Sequence, residues 1–337
     1  LVSMTLKKLR IITLALGLSA SLLVGCASQK SESLVIYSGR SESFISPFLS
    51  KFTTLTGAKL DVRYGDSAAL AAQLLEEGSN SPADLFISQD AGALGAISEA
   101  GLFATLEKQV LDRVEDKYRS SRSDWVGITG RARVFAYSPE RVKNLPSSID
   151  QLTQPIYRAK VGIAPTNSSF QAFITALIQS RGEAAVVNWL ERLKANDVKL
   201  YEKNSQIVAA IDAGEIDLGL VNHYYLWEVS KALGRDIAVA NGFFATGDTG
   251  NMINVAGAGI LKTSTNSQVA LELLTYLLSN EAQREFIEQT YEYSLVLKDA
   301  SPVGLPPLSQ IPSPRVDLSL LANLSKTQAL LIKVGLI

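Results

Sequence analysis

The sequence predicts an α/β fold of two lobes, each a mainly parallel sheet flanked by helices, with a ligand site in the cleft between them. Three observations lead there. Short apolar or alternating runs take turns with segments whose apolar residues recur at helical spacing, the pattern of strand–helix–strand units. That pattern halts and restarts in the second half of the chain. The length, 337 residues, also exceeds the ~150 residues usual for one domain. In open α/β sheets ligands sit outside the carboxyl ends of strands, so residues at strand ends are the first candidates for chemistry.

Residues 1–25 read as an export signal. Lys7, Lys8 and Arg10 precede an apolar run at 11–24, which is shorter than the ~20 residues of a membrane-spanning helix and suits the hydrophobic region of a signal peptide. The run ends Leu23-Val24-Gly25-Cys26, and small residues before the single cysteine resemble the lipobox at which bacterial lipoproteins are cleaved and acylated. Cys26 is therefore the expected lipid attachment, and the polar stretch 26–33 a flexible tether. Such a protein is exported and held at the outer face of the cytoplasmic membrane, touching it through the lipid anchor only.

The first lobe opens with a strand at 34–37. Helical spacing follows at 46–54 and stops near Gly57; 59–64 alternates with Leu60, Val62 and Tyr64 on one face; Ser67, Leu70 and Leu74 mark a helix to Gly78. A strand at 84–87 and a helix at 91–100 complete the unit. The restart comes with a strand at 161–164, helices at 170–179, 183–195 and 206–213, a strand at 216–221 and a helix at 226–233. A strand at 255–261 and helices at 268–278 and 281–289 return to the first lobe, and the Pro-rich 301–314 leads to a last helical segment, 318–334. The expected division is 34–131 plus 256–305 for lobe one and 132–255 plus 306–337 for lobe two, with crossings near 130–134 and 251–256 acting as a hinge.

Composition excludes several functions. With 32 Lys and Arg against 33 Asp and Glu, the formal charge is −1, so no basic field exists to hold nucleic acid. One Cys and one His exclude a disulfide framework and any Cys- or His-rich metal cage. Binding chemistry falls to oxygen ligands, amides and guanidiniums.

Asn222-His223-Tyr224-Tyr225 follows a strand and opens a helix, so two phenols can point at one object there. Paired phenols suit a hard, highly charged cation whose field lowers a phenol pKa from ~10, although packing alone also explains tyrosines at a sheet end. Thr166-Asn167-Ser168-Ser169, at a helix start, offers hydroxyls, an amide and backbone N–H groups to an anion, with N-capping as the competing reading. Asn204, after Lys203 at another helix start, has the same two readings. Arg131 and Arg40 stand where a guanidinium fork could meet an oxyanion in the cleft, or serve in surface ion pairs. An enzyme is not expected: no P-loop or dinucleotide fingerprint is present, and His223, the only imidazole for a serine hydrolase, is flanked by tyrosine rather than by a carboxylate.

Val35-Ile36-Tyr37-Ser38-Gly39-Arg40, then Ser81-Pro82-Ala83-Asp84-Leu85-Phe86, Gly130-Arg131-Ala132-Arg133-Val134 and Asn222-His223-Tyr224-Tyr225 occur in order. Together, from residue 34 nearly to the end, they resemble the ferric-iron-binding extracytoplasmic proteins of bacterial ABC transporters, here in lipoprotein form. The resemblance implies a two-lobed, periplasmic-binding-protein-like clamp (type II). In it Tyr224 and Tyr225 bind Fe³⁺, and a synergistic phosphate or carbonate completes the shell, surrounded by Arg131, Asn167, Ser168, Ser169 and Asn204. It further implies a monomer that delivers ferric ion to an ABC permease.

The chain also departs from that pattern. Ser41 replaces a His, Gln89 replaces a metal-binding Glu, and Phe170 stands where another branch has a third Tyr. The further ligand candidates are Tyr64, Asp90 and Gln89, and the anion is expected to carry more of the coordination than in relatives that keep the His and Glu. The alternative reading is the same clamp binding an inorganic or organic anion, or a polyamine, without iron.

Overall fold

The computed structural model describes residues 33–337. The expected export signal, Cys26 and the tether through 32 lie outside the described residues, while Ser33, the expected end of the tether, opens the first strand. No described helix is long and apolar enough to cross a membrane.

The first half begins with β1 (Ser33–Ser38), α1 (Glu42–Thr56), β2 (Lys59–Tyr64), α2 (Ser67–Glu77), β3 (Leu85–Ser88) and α3 (Ala91–Glu99). Helix α1 buries Ile45, Phe48, Leu49 and Phe52, one face at helical spacing, and ends at Gly57, whose φ of 73° is a left-handed conformation that favours glycine. Asp66 caps α2 by accepting from the N–H groups of Ala68 and Ala69, and Asp90 caps α3 by accepting from Ala93. A short helix, α4 (Lys108–Leu111), precedes β4 (Val126–Tyr137). The rest runs β5 (Val161–Ile163), α5 (Ser168–Arg181), α6 (Glu183–Ala195), β6 (Lys199–Leu200), α7 (Asn204–Ala213), β7 (Leu218–Asn222), α8 (Tyr225–Leu233), β8 (Ala240–Gly242), β9 (Ile253–Ile260), α9 (Ser267–Leu277), α10 (Asn280–Thr290), β10 (Tyr293–Ser294) and α11 (Leu324–Val334).

The sheet is mixed, which corrects the expectation of mainly parallel sheets. Its main path is β2-β1-β3-β9-β4-β7-β5-β6, with β8 and β10 also paired to β4. Parallel pairing holds at both ends, β2-β1-β3 and β7-β5-β6, but β9 runs antiparallel to β3 and β4, and β4 antiparallel to β7. The physical reason is the double crossing: a chain that leaves one half along β4 and returns along β9 lays two opposed strands side by side. β4 is the spine. Through Ala132 it pairs with β9, and from Arg133 onward with β7 and β8.

Apolar packing falls into two clusters. One joins Ile36, Phe48, Phe86 and Trp125 with residues as far along as Leu321; the other gathers Phe135, Ile163, Phe173, Trp189 and Leu331. The tail expected to belong whole to the second lobe divides between them. A 3₁₀ turn, Leu318–Ala322, lies on α3, where Cβ atoms on Gly92 and Gly95 would come within 2.8 and 2.6 Å of the Leu321 and Ser319 carbonyls. α11 packs on α5 and α6, with Thr327 Oγ1 at 2.7 Å from Thr175 Oγ1. The expected continuous helix is interrupted because Asn323 leaves helical geometry and caps α11, accepting from the Lys326 N–H.

Candidate functional site

The site grows from two adjoining pieces of chain, the middle of β4 and the turn between β7 and α8. Side chains two apart on a strand share a face, so Arg131 and Arg133 project together. Their cross-strand partners are asparagines, Asn254 opposite Arg131 on β9 and Asn222 opposite Arg133 on β7. Both guanidiniums are buried, at 3 % and 2 % exposure. Arg133 Nη1 donates to Ser169 Oγ and to Asn222 Oδ1, each at 3.3 Å, and its guanidinium lies over the rings of Phe170 and Phe173. Its Nη2, together with Nε and Nη2 of Arg131, has no hydrogen-bond partner among the described residues, and neither has Asn254 Nδ2. Buried donors normally find acceptors, and these unpartnered N–H groups can donate to an oxygen-rich anion.

Burial lowers the Arg133 pKa to about 10; the nearby phenols of Tyr225 and Tyr224 act in the opposite sense, and the charge of Arg131 adds to the lowering. No carboxylate forms an ion pair with either arginine among the described residues. The helix starts complete this side. Asn167 caps α5, its Oδ1 accepting from the Ser169 N–H at 3.1 Å, from Ser169 Oγ at 2.5 Å and from Asn204 Nδ2 at 3.0 Å. Asn204 is fully buried and its Oδ1 is unpartnered, whereas Ser168 is exposed at the helix start. The structure thus brings Arg133, Asn167, Ser169, Asn204 and Asn222 into one hydrogen-bonded set.

Tyr224 is buried, and its ring lies 4.6 Å from that of Tyr225, centroid to centroid. Asn222 Nδ2 donates to the Tyr224 hydroxyl at 3.5 Å, linking the phenol through Asn222 to Arg133. Burial raises the Tyr225 pKa, the neighbouring Tyr224 adds to it by charge and hydrogen bonding, and Arg131 opposes. Arg131 also acts on Asp90 and Glu292, so it lies electrostatically between the Tyr225 phenol and these carboxylates.

Other expected site residues sit differently. Arg40 is not available to an anion: its Nη1 and Nη2 donate to Glu292 at 3.0 and 2.7 Å, and Nη1 also reaches Thr129, in a pair buried on both sides. Tyr64 ends the edge strand β2 and is half-exposed; burial and then the carboxylate of Glu42 raise its pKa. Gln89 is half-buried next to Asp90, its N–H donating to Ser67 Oγ at 2.9 Å. Asp90 is buried and serves as the α3 cap; burial raises its pKa against the lowering effects of the Ala93 N–H and Arg131. Ser41 is exposed ahead of α1.

His223 is occupied on both ring nitrogens. The Ala132 N–H donates to Nδ1 at 3.2 Å, and Nε2 lies 2.6 Å from the Tyr291 carbonyl. Burial pushes its pKa down to about 4. Neither nitrogen is left to activate a serine, which removes the hydrolase reading. Among the described residues no three His, Cys, Asp or Glu side chains gather to hold a metal ion.

Sequence reasoning missed Asn254 and Glu292 in this region, and it carried Arg133 and Asn222 only within their motifs, without naming them as site residues. Arg133 was recoverable, since the i, i+2 spacing of Arg131 and Arg133 puts both on one face once the segment is recognised as a strand. Asn254 and Glu292 carry no local signal.

The chain matches the family described as bacterial extracellular solute-binding protein over residues 80–316. It is similar to the Fe(3+)-binding periplasmic protein of Serratia marcescens, 32% identical over 315 residues, covering 92% of this chain and 93% of that one. Among solved structures, it is similar to iron-bound HitA from Pseudomonas aeruginosa, with a TM-score of 0.82, 31% identity and coverage of 90% and 99%. A Trichodesmium protein (IdiA, FutA) in complex with iron and citrate matches with a TM-score of 0.81, 28% identity and coverage of 90% and 100%. These neighbours share the periplasmic-binding-protein-like fold, a mixed sheet flanked by helices.

Proposed function

The chain belongs to the bacterial extracellular solute-binding protein family, and we propose that its cargo is ferric iron, held by the phenolates of Tyr224 and Tyr225 together with a small oxyanion such as phosphate or carbonate. As a family member it is a solute-binding transport protein and not an enzyme. One observation carries the iron reading: two adjacent phenols stand beside two buried guanidiniums, three of whose nitrogens (Nε and Nη2 of Arg131, Nη2 of Arg133) lack acceptors among the described residues. Ferric ion prefers anionic oxygen and binds by displacing phenolic protons. Burial holds the Tyr225 phenol protonated in the absence of metal, so uptake releases protons. The anion then answers Arg131 and Arg133, with Asn167, Ser168, Ser169 and Asn204 around it. Asp90, Gln89 and Tyr64 are the remaining protein oxygens for the metal, and Asp90, buried and under the influence of Arg131, is the best placed of them.

In this reading the halves on either side of the Ala132–Arg133 step of β4 are the lobes of a clamp. Residues 34–131 with 256–305, and 132–255 with the terminal helix, close on the ligand about β4 and β9. Closure excludes water from the phenolate–metal bonds, and opening at an ABC permease releases the ion. The exported, monomeric protein is tethered by acylation at Cys26.

A second reading, the same cleft binding an oxyanion with no metal, is favoured by the unpartnered arginine donors; the same two buried cations argue against a polyamine. Visible spectroscopy separates the first two. Iron-loaded protein is expected to show a phenolate-to-iron absorption band that Tyr224→Phe and Tyr225→Phe each abolish or shift with a steep loss of affinity. Unchanged bands in both variants overturn the assignment of the phenols, and a colourless wild type after mixing with ferric nitrilotriacetate overturns iron as cargo.

A further inference from the structure

His223 holds both backbone polar groups of one residue of the cation-bearing strand. Its own N–H donates to the Ala132 carbonyl at 3.0 Å, while the Ala132 N–H donates back to ring Nδ1 at 3.2 Å. Ala132 lies between Arg131 and Arg133, and His223 directly precedes Tyr224 and Tyr225. One residue, through its backbone and its ring, therefore clasps the strand that carries the cations to the turn that carries the phenols.

The tautomer that permits this clasp is set from elsewhere. A backbone N–H only donates and a carbonyl only accepts, so Nδ1 must be the acceptor toward Ala132 and Nε2 must carry the hydrogen donated to the Tyr291 carbonyl at 2.6 Å. Tyr291 comes from the link between α10 and β10. It follows α10 in a left-handed conformation, φ 55°, and precedes β10, which pairs with Gly130 and Thr129 of β4. Its ring also stacks on Trp227 of α8, centroids 5.1 Å apart and planes 10° apart. The His223 carbonyl is held in turn by Asn241 Nδ2 at 2.9 Å. The residue is thus fixed at ring and backbone by β4, β8 and the α10–β10 link.

We propose that His223 is a positioning residue for cargo binding: as a neutral peg in one fixed tautomer, it sets the register between Arg131–Arg133 and Tyr224–Tyr225, so that the anion and metal portions of one ligand meet their partners at once. This rests on the ferric reading above. Outer partners that orient metal ligands typically change affinity about 10–100-fold when removed, which sets the expected size.

The test uses the full-length protein, ferric nitrilotriacetate in phosphate buffer as the probe, and two readouts, iron affinity and the position of the phenolate-to-iron band. His223→Ala loses both contacts of the ring and is expected to bind about 10–100-fold more weakly with a displaced band. His223→Asn, whose Oδ1 can take the place of Nδ1 toward Ala132, is expected to restore most of the affinity and the wild-type band. A wild-type band and affinity in His223→Ala overturns the proposal. So does equal loss in the Ala and Asn variants with unfolding temperatures equal to each other, since packing rather than register would then be at work. Should His223→Ala fail to fold, His223→Asn decides: near-native affinity and band support the peg, and a folded variant with about a tenfold loss overturns it. A wild type that takes up no iron fails differently, because it removes the ferric reading itself.

Discussion

Arg133→Met is expected to make the ligand-free protein more stable and less able to bind its ligand. Burial lowers the Arg133 pKa from 12.5 to about 10. The unfolded chain therefore holds this proton more tightly than the folded one, and at neutral pH, where both are charged, the difference is a standing cost of keeping the cation buried. At about 1.4 kcal/mol per unit, that cost is on the order of 3 kcal/mol, fully present below the folded value and relieved only as pH rises through it. Opposing it are the 3.3 Å hydrogen bonds to Ser169 and Asn222 and the faces of Phe170 and Phe173, together worth ~1–2 kcal/mol. Methionine keeps most of the stem volume and leaves a net gain of ~1–2 kcal/mol. At roughly 0.6 kcal/mol/K for a chain of about 300 residues, the melting temperature rises by about 2–3 °C. The assay is thermal unfolding with and without phosphate, alone and with ferric ion. Wild type should gain ~2.7 kcal/mol at a hundredfold excess over Kd, and the variant should lose most of that gain. A variant less stable than wild type that keeps the full phosphate-dependent rise refutes the reasoning, since Arg133 would then be a structural group with no part in anion binding.

Glu292→Gln leaves the buried guanidinium of Arg40 without its counter-charge and should cost ~3–5 kcal/mol, read as a fall of about 5–8 °C in melting temperature. Although burial raises the Glu292 pKa, the charge and hydrogen bonds of Arg40, the charge of Arg131 and the Thr129 hydroxyl outweigh it and hold the carboxyl below its usual 4.5. The groups facing it are Arg40, Arg131, Thr129 and Thr290, with His223 close enough to feel its charge. Its contribution is therefore complete above the unfolded value of 4.5 and lost as pH falls through the lower folded value; melting curves from about pH 6 to pH 3 should decline more gently in Glu292→Gln. Ferric titration in buffer freed of carbonate and phosphate should show a marked drop in affinity, restored by adding either anion. Undiminished affinity there would mean that protein oxygens alone complete the shell.

Local patterns made much of the fold legible. The alternation at 59–64 and the helical period at 183–195 give β2 and α6 to the residue, because each presents one face to a core and one to water. β4 escaped for the opposite reason. Nearly every residue of Val126–Tyr137 is buried, so the strand shows no alternation and reads only as a Gly- and Arg-bearing crossing. Without it the antiparallel centre of the sheet was invisible, and two parallel sheets were the natural inference. The same limit governs the site. The Tyr224–Tyr225 turn and the Asn167 helix start are contiguous in sequence and were singled out as candidates. The partner that takes Arg40 away from the cleft, Glu292, stands 252 residues further along, and no spacing rule connects them.

Under the proposed function, the position of the two arginines follows from what a carrier of a charged complex must do. On a flexible lid they would meet the anion only after ordering, and the ordering cost would weaken binding. On β4 they are fixed before the ligand arrives, by β9 at Arg131 and by β7 at Arg133, and their N–H groups need no rearrangement. The cost appears as the unfavourable burial that lowers the Arg133 pKa. Stability and capture are then coupled with opposite signs at this one strand, as expected where a binding site opposes folding. Substitutions that relieve the buried charge should strengthen the fold and weaken uptake together, whereas Glu292, which balances Arg40 in the fold itself, should show stability loss without that trade.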